Sequence, residues 1–126
     1  MLSIGKFAAA GGVGVETVRY YQRKGLLAVP DARDGIRRYD ANDLRRLRFI
    51  RKAQAAGFTL AEISELLALG ASRDRSRARQ LASARIRVLD DKIDELQRAR
   101  QALTRLATEC AQGDHGPCPI LEAFEV

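Results

Sequence analysis

Apolar side chains recur every three or four residues near the start of the chain, a spacing typical of helices. Ser3 can cap a first helix over Ile4–Ala10, and the glycine-rich stretch 11–14 should then force a turn. A second helix is predicted over residues 15–24, with Gly25 ending it as a left-handed cap. The pattern therefore predicts two helices joined by a glycine turn.

The pattern then changes from helical to hairpin. Asp34-Gly35 is a tight-turn signal, and residues 36–39 are predicted to return as a strand. Asp40 can cap a third helix that continues to Ala56. A small basic hairpin that follows two helices is typical of a winged helix-turn-helix domain.

Two further helices are predicted beyond the wing. Thr59–Glu62 is a capping box for a fourth helix over residues 60–69, which Gly70 should end. From residue 74 to 110 there is neither Gly nor Pro, and one side of the segment is apolar at heptad spacing, interrupted by Arg100. The heptad positions are Ile86, Leu89, Ile93, Leu96, Leu103, Ala107 and Cys110.

A single long helix cannot bury such a stripe, so a second copy of the chain is predicted to cover it in a two-fold coiled coil. The pattern does not choose between parallel and antiparallel helices. A helical hairpin is the alternative, but no second long helix follows. The expected fold is mainly α, with a winged helix-turn-helix domain over residues 1–70, a dimerisation helix over 71–110, and a loop with a short terminal helix over 111–126.

The net charge of the chain limits the classes of partner that it can bind. The formal net charge is +6, and residues 1–70 carry most of the excess, with 12 Lys and Arg against 7 Asp and Glu. An acidic polymer is therefore an expected partner. No apolar run is long enough to span a membrane and no signal peptide is recognisable, so a cytoplasmic location without membrane contact is expected. One His and no paired carboxylates argue against an enzyme.

A helix-turn-helix places its second helix in the major groove of DNA. Short side chains near the start of that helix can approach base edges, whereas its arginines and tyrosine suit phosphates, and the basic hairpin can hold the backbone or a minor groove. Solvated arginines on a small helical domain are the plainer alternative. The candidate DNA-binding residues are Glu16, Thr17, Arg19, Tyr20 and Arg23 on the second helix, and Arg37, Arg38 and Tyr39 on the hairpin.

The stretches SIGKFA, VETVRYYQRKGLL, GIRRYD and AQAAGFTLAEISELLAL resemble the DNA-binding domain of the MerR family of transcription regulators. The motifs QRKGLL and IRRY are especially similar to those of mercury-resistance regulators, and the resemblance continues along nearly the whole chain. It implies a homodimer with an antiparallel coiled coil on double-stranded promoter DNA. It also implies that effector binding bends and untwists a promoter whose elements are spaced too far apart, so that RNA polymerase can use it.

Two cysteines mark the effector end. Cys110 closes the heptad stripe, and Cys118 precedes Pro119 at the start of a terminal helix predicted over residues 120–124. A helix N-terminus favours the thiolate form, and two thiolates on a short loop suit a soft metal ion. The same pair could instead be oxidised as a redox switch. His115 lies between the cysteines and is expected to be exposed, although a zinc site could recruit it.

The resemblance also implies a role for each cysteine, because metal-sensing members hold their metal in such a loop, and Cys110 and Cys118 match those two ligands. Sensors of divalent ions add a third cysteine from the partner's long helix, where this chain has Arg75 beside Ser76. Copper sensors likewise lack it, with a small residue there. Two thiolates alone favour linear Cu(I), Ag(I) or Au(I), so activation of metal-resistance or efflux genes by these ions is the leading expectation. Hg(II), another divalent ion, thiol oxidation and an unidentified effector with structural cysteines stay open.

Overall fold

The computed structural model describes residues 1–33, 35–113 and 115–124, without the side chains of Arg33, Ala71 and Ser72. The described residues are mainly helical, which confirms the predicted fold class of a helix-turn-helix, a long helix and a short C-terminal helix. In chain order the elements are α1 (Ile4–Ala10), α2 (Val15–Arg23), β1 (Ala32–Arg33), β2 (Ile36–Arg37), α3 (Ala41–Ala55), α4 (Leu60–Ser72), α5 (Arg75–Ala111) and α6 (Pro119–Ala123).

The chain divides into two compact units, Met1–Arg85 and Ile86–Val126. The first turns of α5 therefore belong to the N-terminal unit. Along the described residues, no helix has the length and apolar content needed to cross a membrane.

The helix-turn-helix forms as the glycine pattern predicted. The Ser3 hydroxyl accepts a hydrogen bond from the Lys6 backbone N–H at 3.4 Å, which caps α1. Gly12 and Gly25 have positive φ angles of 73° and 74°, so the turn and the end of α2 both use the left-handed region that glycine enters freely. A β-carbon at Gly11 would lie 2.8 Å from the Leu47 Cγ, so this turn also needs glycine for its approach to α3.

The hairpin is shorter than predicted. In the antiparallel pair β1–β2, Ala32 lies opposite Arg37, and the turn residue Asp34 lies outside the described residues. The returning strand ends at Arg37 rather than at residue 39, because Tyr39 exchanges two backbone hydrogen bonds of 2.8 Å with Leu2 instead. The N-terminus thereby ties the hairpin to the helices.

Helices α3 and α4 both begin at a capping box. At Asp40 and at Thr59 the side chain accepts a hydrogen bond from the backbone N–H three residues on, and the acidic side chain of that later residue accepts one from the backbone N–H of the capping residue. The prediction that Gly70 ends α4 is wrong, because the helix continues to Ser72 and ends at Arg73, whose φ is 58°. An interior glycine weakens a helix by about 1 kcal/mol, which is too little to stop it.

The core of the first unit lies where α1, α2, the hairpin, α3 and α4 meet. The rings of Phe7 and Tyr39 stack in parallel at 4.2 Å, with an interplanar angle of 9°. Burial of a large apolar side chain contributes roughly 1.5–3 kcal/mol, so this cluster is the main source of stability in the unit. Its largest fully buried members are Phe7, Val18, Tyr21, Leu26, Tyr39, Leu47, Ile50 and Ile63.

In the second unit the heptad stripe of α5 is open to solvent within one chain. Ile86, Ile93, Leu96 and Leu103 are about half exposed, with Leu96 at 58%. The apolar side chains Leu121 and Phe124, on and just after α6, are exposed as well. An apolar stripe of this length on one helix face is typical of an interface between helices.

Candidate functional site

The outer face of α2 carries the predicted DNA-binding residues. Val18 and Tyr21 are buried against the core, which leaves Arg19, Tyr20 and Arg23 exposed on the opposite side. Thr17, near the start of the helix, is half-buried. The buried face thus fixes the orientation in which α2 presents its basic side chains.

Glu16 and Arg19 form a pair on that outer face, with the carboxylate Oε1 3.0 Å from the guanidinium Nη1. Both side chains are mostly exposed, at 80% and 55% for Glu16 and Arg19. Surface pairs of this kind contribute about 1 kcal/mol or less, so Arg19 can exchange its carboxylate partner for a phosphate at little cost.

Tyr20 lies between two cations. Its ring centroid is 5.9 Å from the Arg23 guanidinium carbon and 5.7 Å from the Lys24 Nζ. Aromatic rings at such distances attract cations and so restrict the movement of the cationic side chains. Lys24 was missing from the predicted site, although the run QRKG, in which it follows Arg23 directly, already carried the signal.

A hollow of about 310 Å³ separates α2 from the hairpin. Arg19 lines it from α2 and Arg37 from β2, so two guanidinium-bearing side chains border one concave surface. Arg38, the next residue, is exposed. A concave surface bordered by two arginines suits the phosphate backbone of a nucleic acid.

Tyr39 does not lie where the sequence analysis expected it. Only 2% of the residue is exposed, because its ring stacks on Phe7, and its hydroxyl accepts a hydrogen bond from the Gln22 Nε2 at 2.8 Å. Tyr39 lines the same hollow as Arg19 and Arg37 but is almost wholly enclosed, so its contact with DNA stays a prediction. Tyr39 supports the wing from inside.

The two cysteines lie together at the other end of the chain. Cys110 is in the last turn of α5, and Cys118 is the residue that caps α6. Their sulfur atoms are 3.5 Å apart, and both residues are half-buried and free of a disulfide. The fold therefore brings together the pair that the sequence singled out.

The pKa values of the two thiols are shifted in opposite directions. The backbone N–H of Leu121 lowers the pKa of Cys118, and the Cys110 thiol and the Ile120 N–H lower it further. The pKa of Cys110 is raised, first because its thiol hydrogen-bonds Cys118 and then because of the charge there. Cys118 is thus the sulfur that ionises first, as its position before Pro119 predicted.

No third ligand joins the pair within one chain as far as the structure describes it. Among the described residues, no group of three or more His, Cys, Asp and Glu side chains is placed to hold a metal ion. His115 is exposed, in keeping with the expectation for a loop residue. The site offered by one chain is therefore a two-sulfur site.

Comparison with known proteins now places the chain. The sequence profile of the MerR HTH family regulatory proteins matches residues 2–69, and the profile described as "MerR, DNA binding" matches residues 44–106. The chain belongs to the MerR family. It is a DNA-binding transcription regulator and not an enzyme, and its relatives lie in the heavy-metal-sensing branch of the family.

Three MerR-family relatives illustrate that branch. The mercuric resistance operon regulatory protein of Pseudomonas fluorescens is 42% identical over 126 residues, covering 98% of this chain and 88% of that protein. The heavy metal-dependent transcription regulator 2 of Rhizobium meliloti is 39% identical, covering 96% and 84%. A crystal structure of a transcription regulator from Ralstonia metallidurans in complex with lead(II) has a TM-score of 0.72 at 32% identity, covering 98% and 99%.

Proposed function

We propose that this MerR-family regulator acts as a homodimer that binds a thiophilic metal ion, Hg(II) in particular, through Cys110 and Cys118. Metal binding then changes the shape of promoter DNA so that RNA polymerase can use it. The observation that carries the proposal is the close approach of the two sulfur atoms, 3.5 Å apart, where the end of α5 meets the start of α6. Soft thiolates select soft metal ions.

The separation of the two sulfur atoms can be compared with the two arrangements in which a pair of thiolates holds a metal ion. With metal–sulfur bonds of about 2.3 Å, a tetrahedral angle places two sulfurs roughly 3.8 Å apart, whereas a linear site needs about 4.6 Å. The pair at 3.5 Å must open slightly for the first arrangement and by about 1.1 Å for the second. The free sulfurs must move apart for either arrangement, and Hg(II) itself can be linear between two thiolates, so the separation does not select one thiophilic ion over another.

The relatives favour Hg(II). Mercuric resistance regulators from several bacteria are 41–42% identical to this chain over nearly its whole length. A bent two-sulfur site leaves room for a further ligand. Sensors of divalent ions take a third cysteine from the start of the partner's long helix, where this chain has Arg75. The guanidinium there is exposed, and we propose that it offsets the thiolate charge of the other chain's site rather than binding metal.

On the DNA side, α2 is proposed to enter the major groove while the wing contacts phosphates. Arg19 and Arg37 border the same hollow, and Tyr20 holds Arg23 and Lys24 nearby. The contacts are mostly to the backbone, so they position the protein without reading much sequence.

Competition titrations of the fully reduced protein test the metal proposal. Hg(II) is expected to bind tightly in the presence of a competing small dithiol, and both Cys110→Ser and Cys118→Ser should lose that binding. His115→Ala is the matched control, because the side chain lies on the same loop, is exposed, and should leave affinity unchanged.

Two outcomes would redirect the proposal. Tight Cu(I) binding that depends on both cysteines, together with weak Hg(II) binding, would make the chain a monovalent-metal sensor. Binding of neither ion, with disulfide formation under mild oxidant, would favour regulation by thiol oxidation.

A further inference from the structure

Arg85, in the third turn of α5, caps the end of α3. Its Nε donates a hydrogen bond to the backbone oxygen of Ala56 at 2.9 Å, and the side chain is half-buried. Ala56 is the C-terminal cap of α3, where backbone carbonyls lack partners within the helix. A guanidinium at this position satisfies one of them and complements the negative end of the helix dipole.

Gly57 is shaped to receive that guanidinium. Its φ of +91° lies in the left-handed region. A β-carbon at Gly57 would also lie 2.6 Å from the Arg85 Cζ and 2.8 Å from its Nε, so the guanidinium occupies the space that a side chain would fill. We call Arg85 with Ala56 and Gly57 the Arg85 cap.

The same face of α5 makes two other contacts at four-residue intervals. Arg77 binds the Glu65 carboxylate through two nitrogens, with Nη2 3.2 Å from Oε2, and Leu81 is 6% exposed. Arg77 thus fastens the first turn of α5 to α4, and Arg85 fastens its third turn to the end of α3, with Leu81 buried between them. Arg85 is the last of the three along the helix, and it is also the last residue of the first compact unit, because the second begins at Ile86.

The Arg85 cap also connects to the DNA-binding helix. The Tyr21 hydroxyl, on the buried side of α2, donates a hydrogen bond to the Gln54 Oε1 in the last turn of α3. Gln54 lies two residues before Ala56. A chain of directional contacts therefore runs from α2 through the end of α3 to α5, the helix whose last turn carries Cys110.

We propose that Arg85 is the positioning residue that transmits metal binding from α5 to the DNA-binding unit. The proposal rests on the function proposed above, because it takes Cys110 as a metal ligand. Arg85 is the last residue of α5 that makes one of these contacts, so a shift of α5 would act on the first unit through it. The hydrogen bond from Arg85 to the Ala56 oxygen is either made or broken, which gives the two discrete arrangements that a coupling route requires.

The test compares reduced wild-type protein with Arg85→Ala, Arg85→Lys and the control Arg87→Ala, whose side chain is exposed one half-turn later. The promoter fragment is selected by the protein itself and carries a fluorescent adenine analogue at its centre. Three quantities are measured: Hg(II) affinity, promoter affinity without metal, and the fluorescence change on adding Hg(II).

Arg85→Ala is expected to keep Hg(II) affinity and metal-free promoter affinity within about threefold of wild type. The Hg(II)-driven fluorescence change should fall by about tenfold. Arg85→Lys, which retains a cation able to reach Ala56, should recover part of the change, and Arg87→Ala all of it. Tyr21→Phe, which breaks the link to Gln54, should reduce the change as well.

Full Hg(II)-driven distortion in Arg85→Ala would overturn the proposal. So would a loss of promoter affinity equal with and without metal, since that is the mark of a purely structural residue. If Arg85→Ala unfolds, the same comparison is made with Arg85→Met, which keeps the apolar stem and removes the donor to Ala56, and an unreduced response there would likewise overturn it. Failure of the wild type to bind Hg(II) would count against the proposed function alone, because it is seen before any variant is compared.

Discussion

Cys110 and Cys118 are the residues whose chemistry matters most, and they differ although both are half-buried. The backbone N–H of Leu121 lowers the pKa of Cys118, whereas the pKa of Cys110 is raised by its neighbour. The sequence predicted the direction at Cys118 from Pro119 alone, because proline begins a helix whose free N–H groups face the preceding residue. The opposite shift at Cys110 depends on the 3.5 Å approach of the two sulfurs, which no local pattern encodes.

Alkylation should distinguish the two thiols. A lowered pKa means that Cys118 carries more thiolate than an ordinary cysteine at every pH below its usual titration range, and the thiolate is the reactive form. At neutral pH iodoacetamide is therefore expected to modify Cys118 several-fold faster than Cys110, and its rate should level off at lower pH. Peptide mass spectrometry of metal-free, reduced protein between pH 5.5 and 10 measures both rates. Faster modification of Cys110 would contradict this order of ionisation.

Tyr39 illustrates what the sequence could not reveal about single residues. It follows two exposed arginines in the predicted strand, and nothing nearby distinguishes a surface ring from a buried one. Its burial comes from Leu2 and Phe7, more than thirty residues earlier in the chain. Contacts so distant in sequence are set by tertiary packing.

Removal of the Tyr39 ring should be costly. Tyr39→Ala is expected to reduce the free energy of unfolding by about 3–5 kcal/mol, as for other large buried side chains. Tyr39→Phe keeps the stack on Phe7 and loses only the hydrogen bond from Gln22, at about 1 kcal/mol. Urea unfolding monitored by circular dichroism gives both values, with exposed Arg38→Ala as the control. A negligible loss in Tyr39→Ala would mean that the ring is not part of the core.

Among the helices and strands, those with strong local signals were predicted best. The glycine turn, the cap at Gly25 and the capping box at Thr59 all form where the sequence placed them. Gly70 was misread as a stop signal because an interior glycine and a terminal one look alike in sequence. The helix instead ends at Arg73, which has no sequence feature that marks an end.

Substitutions at the end of α4 should therefore stabilise the protein. A β-carbon at Gly70 would meet no atom within 4 Å, and the helical backbone there accepts alanine. Gly70→Ala is expected to add about 1 kcal/mol to the free energy of unfolding, and Arg73→Gly to add up to about 1 kcal/mol by relieving its positive φ. Thermal unfolding measures both. If Gly70→Ala lowers the melting temperature, α4 does not continue through this residue in solution.

The hairpin is the element for which a phosphate contact is expected. Arg37→Ala should weaken binding to promoter and unrelated DNA alike, and should reduce the dependence of binding on salt by about one released ion. The side chain is exposed, so stability should not change. Fluorescence anisotropy across a range of salt concentrations gives the slope, with Arg105→Ala on α5 as the control. An unchanged slope would remove Arg37 from the DNA-binding surface.

At the scale of the whole molecule, the heptad pattern of α5 predicted a helix of the observed length and a stripe that one chain leaves open. Residues 75–111 form one helix, and its apolar positions are about half exposed. The sequence could not define the direction of the partner helix, because interrupted heptads fit both arrangements. That choice depends on contacts between two chains.

The stripe should hold two chains together. Wild-type protein is expected to sediment at twice the chain mass of 13.9 kDa. Leu96→Asp, which places a charge in the stripe, should dissociate the dimer, whereas the adjacent exposed substitution Gln97→Asp should leave it intact. Sedimentation equilibrium compares the three proteins. A wild type that sediments as a monomer would contradict the dimer.

The most direct test of the central claim is transcription from the selected promoter by purified RNA polymerase with reduced regulator and increasing Hg(II). We expect a steep rise in transcript for the wild type and for His115→Ala, and none for Cys110→Ser or Cys118→Ser, all four with similar promoter affinity without metal. Equal induction of the wild type and both serine variants would contradict it, because the closed pair of sulfurs would then have no part in sensing.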